Sequence, residues 1–185
     1  MISSCKACGT ITESKLIRRI ASVTLSATKY TYNGKNQSPT VIVKDSAGKT
    51  LRKNVDYTVS APSVRKNPGK YAVKVTFKGN YSGTKTLYFT IAPATPTLTV
   101  TAGAKKATLK WNAQTGATGY VVYASTSKTG KYTKIATVKG GTSVSYTKTG
   151  LTTGKTYYFR VAAYTTSGGS TIYGSYSSVK SVKVK

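Results

Sequence analysis

The sequence predicts an all-β chain of two tandem antiparallel β-sandwiches joined by a short Pro-containing linker, and three observations carry that expectation. Short runs that alternate apolar and polar residues with a period of two recur along the chain, with no helical stretch between them. Thr, Ser, Lys, Gly and Tyr fill much of the composition, and β-branched and aromatic side chains suit a pleated, half-buried surface. Near the middle, Ala92-Pro93-Ala94-Thr95-Pro96 interrupts the pattern with two prolines.

The length of 185 residues accommodates two sandwiches of ordinary size, roughly 100 residues each. Hydrophobic residues make up 38% of the chain, below the usual range of about 45–50%. Disorder is not expected, because fifteen Tyr, the Val-rich runs and Trp111 supply apolar area that a core can bury.

Residues 1–20 lack a clear period, and 12–20 reads equally as a short helix or an extended lead-in. Strand-like runs then follow at 21–27, 39–44, 55–60, 71–77 and 86–91. Turn signals separate them: Asn33-Gly34, where both residues tolerate positive φ, then Asp45-Ser46-Ala47-Gly48, Asn67-Pro68-Gly69 and Asn80-Tyr81-Ser82-Gly83. The expected domains are therefore a remnant at 1–20, a sandwich over 21–92, a linker at 93–96 and a second sandwich over 97–185. Pro93 and Pro96 favour an extended, semi-stiff spacer. Seven runs follow the linker: 97–101, 107–111, 119–124, 132–138, 143–147, 156–164 and 177–184.

The charge balance is lopsided. Twenty-nine Lys and Arg face three acids, Glu13, Asp45 and Asp56, and from residue 96 onward there are thirteen basic residues and no acid. Such a field attracts polyanions over about 8 Å at physiological salt. The lysines are nevertheless scattered at alternating strand positions and in turns, as Lys110, Lys134, Lys180 and Lys183 illustrate. Lys on edges and outer faces keeps sandwiches soluble and blocks edge-to-edge pairing. Arg18-Arg19, Arg52-Lys53 and Arg65-Lys66 are too short to read as nucleic-acid arms, so no specific nucleic-acid partner is expected.

Catalysis is not expected. The chain has no His, the commonest general base and metal ligand. Three carboxylates leave little room for a glycosidase-type pair. Asp45 reads as a turn former and Asp56 as a strand-end residue. No phosphate-binding glycine motif occurs. Cofactors and metals are accordingly expected to be absent.

Cys5-Lys6-Ala7-Cys8-Gly9 is a single C-x-x-C. It reads as a remnant of an upstream module, with zinc shared with sequence outside this chain as the alternative, because four ligands are normally needed and only two are here. A redox pair lacks the βαβ context it would need. No signal peptide and no apolar run long enough to span a bilayer is present, so membrane insertion is not expected. The module types discussed next make a fragment of a longer chain the expectation.

Residues 96–185 resemble a fibronectin type III domain. Ala107-Thr108-Leu109-Lys110-Trp111 looks like its second strand, with Trp111 in the core. Gly119-Tyr120-Val121-Val122-Tyr123 looks like the third, with Tyr120 and Val122 inward. The series Leu151, Gly154, Tyr157, Val161 is similar to the family's Leu-x-Pro-Gly-x-x-Tyr-x-x-x-Val stretch, with Thr153 where Pro is usual. The resemblance implies that Tyr157 is the corner tyrosine, its hydroxyl bonded back to the backbone. The family's Arg-Gly-Asp integrin loop is absent. Residues 21–92 resemble bacterial immunoglobulin-like repeats, on Tyr30-Thr31-Tyr32-Asn33-Gly34-Lys35, Asp56-Tyr57-Thr58-Val59-Ser60 and Gly79-Asn80-Tyr81-Ser82-Gly83-Thr84. The two resemblances imply immunoglobulin-like sandwiches from a multidomain surface or secreted protein of Gram-positive gut bacteria. A C-x-x-C-G element often ends the preceding repeat in such proteins.

Strand parity also defines a candidate ligand face. If Tyr157, Phe159, Val161 and Ala163 point inward, then Tyr158, Arg160 and Tyr164 point outward, as do Val121 and Tyr123 on the neighbouring strand. Tyr123, Tyr158, Arg160 and Tyr164 would then form an aromatic and cationic stripe on which sugar rings can stack. The plainer alternative is that they are cross-strand pairs stabilising the sheet. The expected function is a monomeric, non-catalytic, adhesion-supporting spacer or display stalk outside the cell. The alternative is an accessory module whose partner is a polysaccharide, with another surface protein as a further candidate partner.

Overall fold

A computed structural model of the chain describes residues 19–185, so Cys5, Cys8 and the rest of 1–18 lie outside the described residues. The described residues are all-β. By Cα proximity they fall into two compact units. One comprises the segments ending at Thr28, Pro39–Ser63 and Ala72–Tyr88, and the other Lys29–Ser38, Val64–Tyr71 and Phe89–Lys185.

In the first unit, β1 (Ile20–Leu25) pairs antiparallel with β3 (Val41–Asp45), Val23 opposite Val43. Alternation along β3 is complete: Val41, Val43 and Asp45 are buried, while Ile42 and Lys44 are exposed. The strand β4 (Tyr57–Ser60) pairs antiparallel with the part of β5 (Gly69–Phe77) that lies in this unit, Val59 opposite Val75. Val73, Val75, Leu51, Tyr57 and Tyr81 join Val41 and Val43 as the buried apolar residues among those described in this unit. The Tyr57 hydroxyl donates to the Val41 carbonyl at 3.1 Å, which satisfies its one polar atom inside the core.

Asp45 is buried at 1% exposure because its neighbourhood satisfies it. The amides of Ala47 and Lys49 donate to Oδ1 at 2.9 and 3.0 Å, and the Tyr81 hydroxyl donates to Oδ2 at 3.0 Å. Gly48 takes φ +79° in this turn, a conformation that costs glycine little. Asp56 receives the Arg52 amide at 2.8 Å immediately before β4. Both acids thus act in local structure.

In the second unit, β2 (Lys29–Thr31) lies parallel to the end of β6 (Thr84–Ala92), Tyr30 opposite Ile91. Neither the strand nor its parallel sense is evident in the sequence, where three residues are too few to display a period. Tyr30 meets Phe89 edge-on at 5.6 Å, and Tyr71 stacks on Phe89 at 5.4 Å. The Asn33 side chain accepts from the Lys35 amide at 2.9 Å beside Gly34 at φ +74°.

Residues 98–183 form two further sheets. One is ordered β11-β8-β7, from β7 (Leu98–Gly103), β8 (Lys106–Trp111) and β11 (Ser145–Thr149). The other is β10-β9-β12-β13, from β9 (Gly119–Ser125), β10 (Thr133–Lys139), β12 (Thr156–Ser167) and β13 (Ser170–Tyr176), with β14 (Lys180–Lys183) also on β12. All these pairs are antiparallel. Leu98, Leu109, Trp111, Tyr120, Val122, Phe159 and Val161 are among the residues that close the core between them.

The last expected strand, 177–184, is corrected by the structure. It begins at Lys180, and a separate strand, β13, precedes it. Gly168 and Gly169, at φ +54° and +71°, make the two-residue turn that sends the chain from β12 back along β13, Ser167 opposite Ser170. Ser177 then interrupts the pairing: its Oγ accepts from the Val161 amide at 3.1 Å, and its own amide donates to the Val161 carbonyl at 2.8 Å.

Candidate binding face

Of the side chains that carry the family resemblance, Trp111, Tyr120 and Leu151 are buried and Tyr157 is half-buried. Trp111 is 5% exposed and meets Tyr120 at 5.3 Å, with the rings tilted by 52°. Its Nε1 is buried without a hydrogen-bond partner, so Trp111 acts here through its apolar surface. Tyr120 is fully buried, yet its hydroxyl donates to the Gly141 carbonyl and accepts from the Gln114 amide, both at 2.8 Å. Leu151 is buried beside Gly150 at φ +72°. Tyr157 accepts from the Thr152 amide at 3.2 Å. That hydrogen bonding, followed by the charges of Lys155 and Lys148, holds its phenol below the ordinary value. Thr153, at the position where Pro is usual, donates its hydroxyl to the Lys185 carbonyl at 3.2 Å.

On the outer face of β9, β12 and β13, the four residues singled out by parity do not form one stripe. Arg160 and Tyr123 are directly opposite in register. The guanidinium carbon lies 3.9 Å from the ring centre of Tyr176, 4.3 Å from that of Tyr132 and 5.7 Å from that of Tyr123. Tyr123 and Tyr176 meet edge-on at 5.3 Å. The Arg160 Nε is buried and has no hydrogen-bond partner, so the ring faces are what offset its desolvation. Burial raises the Tyr123 phenol above its ordinary value, with a further push from the Tyr176 hydroxyl that outweighs the opposing charge of Arg160.

Tyr164 belongs to a second group. It sits opposite Tyr173 on β13, ring centres 6.0 Å apart. Tyr158 stands in register between Ser125 and Ser181, outside the Arg160 cluster. Val121 shares the outward parity of Tyr123 but is 2% exposed, opposite the equally buried Ala162. Exposed apolar surface on this face is provided by Tyr173 and Tyr176, at 48% and 45%.

Tyr132, Tyr173 and Tyr176 are absent from the sequence-based site. Tyr132 precedes β10, where its hydroxyl donates to the Lys128 carbonyl at 3.0 Å, and nothing local signals its approach to Arg160. Tyr173 had a usable signal, whereas Tyr176 reaches the outer face only through a register shift between Ala162 and Tyr164 that simple hairpin pairing does not give. The Gly168-Gly169 pair marks a hairpin, and pairing outward from it places Tyr173 opposite Tyr164. Among the described residues no group of three His, Cys, Asp or Glu could hold a metal ion. What this face offers chemically is aromatic surface and one ring-packed cation.

A family model for the fibronectin type III domain matches residues 92–179, and one for the MBG domain matches residues 21–95. Among solved structures, the chain is similar to an Fn3-like protein from Clostridium thermocellum at 35% identity. That match covers 48% of this chain and 88% of the other, with a TM-score of 0.36. It is also similar to the 6th fibronectin type III domain of human fibronectin type III domain containing protein 3, at 23% identity, 50% and 85% coverage and a TM-score of 0.41. A beta-1,2-glucanase from Parabacteroides distasonis matches at 20% identity over 62% of this chain, with a TM-score of 0.44, and this chain spans 18% of that enzyme. No curated protein matches.

Proposed function

Residues 21–95 belong to the MBG family and residues 92–179 to the fibronectin type III family, and from that premise we propose that the chain is a structural, adhesion-supporting spacer or display stalk. These domain types mark a non-catalytic, extracellular-type module. We place it in a bacterial cell-surface or secreted protein, where it holds other domains away from their point of attachment.

The observation that carries this reading is the direction of the polar groups. The hydroxyls of Tyr57, Tyr120 and Tyr157, the carboxylate of Asp45 and the guanidinium of Arg160 all point at the chain itself. Each supports a strand, a turn or a core, and none is left converging on a vacant reaction centre. A second reading, an accessory module for polysaccharide, is favoured by one feature: Tyr173 and Tyr176 remain half-exposed on the outer face.

Binding isotherms of the chain against wall polymers and neutral glycans, at low and high salt, separate the readings. The spacer reading expects no saturable binding at either salt concentration. Steep salt dependence would instead indicate polyanion capture by the lysines. Weak salt dependence, abolished by Tyr173→Ser with Tyr176→Ser, would establish sugar stacking.

A further inference from the structure

Between β10 and β11, the outermost strands of the two sheets in 98–183, opens a cleft of about 310 Å³. That volume lies at the small end of the usual range for small-molecule sites, about 300–1,000 Å³. Ala124, Ile135, Leu151 and Tyr157 supply its apolar lining, and Lys131 and Lys148 its charge. Lys148 enters from an unusual direction. On β11, Tyr146 packs against the core and Thr147 meets Thr108 on the outside, so Lys148 shares the inward parity of Tyr146.

An inward-pointing charge on an edge strand discourages pairing with another chain. That role accounts for Lys148 alone. It does not account for a second ammonium on the same cleft or for the apolar lining beneath both. Nor can an acidic side chain of the same domain neutralise them, since residues 96–185 contain no Asp or Glu.

We propose that this cleft binds a small organic anion with an apolar body, a monocarboxylic acid being the simplest case. Its carboxylate sits between Lys131 and Lys148, and its hydrocarbon covers Leu151, Ile135 and the Tyr157 ring. The site is independent of the outer-face tyrosines, so the outcome of the glycan test leaves it untouched.

Octanoate titrated into the isotopically labelled full chain, followed by amide chemical shifts, tests the assignment. The expected result is saturable shifts confined to 124–126, 131–135, 148–151 and 157, with the uncharged octanamide binding more weakly. Lys148→Met keeps the aliphatic stem and should weaken octanoate about tenfold, the loss of one charge-assisted contact. Lys110→Met, on the opposite parity of β8, should change nothing. Should Lys148→Met fail to fold, Lys131→Met decides by the same criterion. The proposal is overturned by no saturable shift at millimolar octanoate, by equal binding of octanamide, or by unaltered affinity in the folded lysine variant.

Discussion

Arg160 on β12 lies over the ring of Tyr176 on β13, its guanidinium carbon 3.9 Å from the ring centre, although Tyr176 is directly opposite Ala162. The contact is therefore a diagonal one across the strand pair, within reach because both side chains are long. Tyr132 closes over the same cation at 4.3 Å. Arg160→Met should lower the unfolding free energy by about 1–2 kcal/mol, the scale of a partly desolvated cation–π contact. Arg160→Lys should recover only part of it, since an ammonium cannot stack as a plane. Urea denaturation measures both, and Arg160→Met with wild-type stability would show that the cluster is idle.

The tyrosines give a pH dependence of defined sign. Burial, then the charge of Asp56, raises the Tyr57 phenol above its ordinary 10.0. The unfolded chain therefore ionises first as pH climbs, and the stability Tyr57 contributes, complete below pH 10, is lost above it. Tyr157 is shifted the other way, so its contribution grows as pH approaches 10 from below. Unfolding free energies measured across that range should decline less steeply in Tyr57→Phe and more steeply in Tyr157→Phe.

Removing the Asp45 carboxylate should be costly despite its place in a turn. Asp45→Ala removes the acceptor that the Ala47 and Lys49 amides and the Tyr81 hydroxyl share. A loss of about 2–4 kcal/mol is expected for several bonds to one buried charged acceptor. Equilibrium unfolding in urea gives the value, and Asp45→Asn, which keeps one acceptor oxygen, should fall between wild type and Asp45→Ala.

Gly174 is expected to tolerate no side chain. A Cβ there would stand 2.6 Å from the Pro93 carbonyl oxygen and 3.3 Å from that of Ala163. Both atoms are backbone and cannot rotate aside, so Gly174→Ala should destabilise by about 1–3 kcal/mol through overcrowding. A thermal melt of this variant beside Gly150→Ala, where space is open but φ is +72°, separates crowding from backbone strain.

Much of the fold is legible in the sequence because period-two patterns are local. Val41, Val43 and Asp45 alternate with Ile42 and Lys44 in the chain as they do in the sheet. The same holds for Phe159, Val161 and Ala163 against Tyr158, Arg160 and Tyr164. Parity failed as a measure of exposure at Val121, which points outward yet is buried opposite Ala162. The three residues of β2 and the start of β13 were hidden for another reason: a short strand takes its identity from the strand beside it, not from its own pattern.

The candidate face divides along the same line. The order Trp111, Tyr120, Leu151, Tyr157, the turn glycines, the absence of His and the acid-free stretch from 96 onward are properties of the sequence alone, and they settle the domain types and the basic character of the second. Which tyrosines enclose Arg160, and that Lys148 turns inward over an apolar cleft beside Lys131, were decided by tertiary structure. Those relationships join residues far apart in the chain, whose meeting depends on register and strand order. Periodicity assigns each residue to a face, but only the assembled sheets determine what stands opposite it.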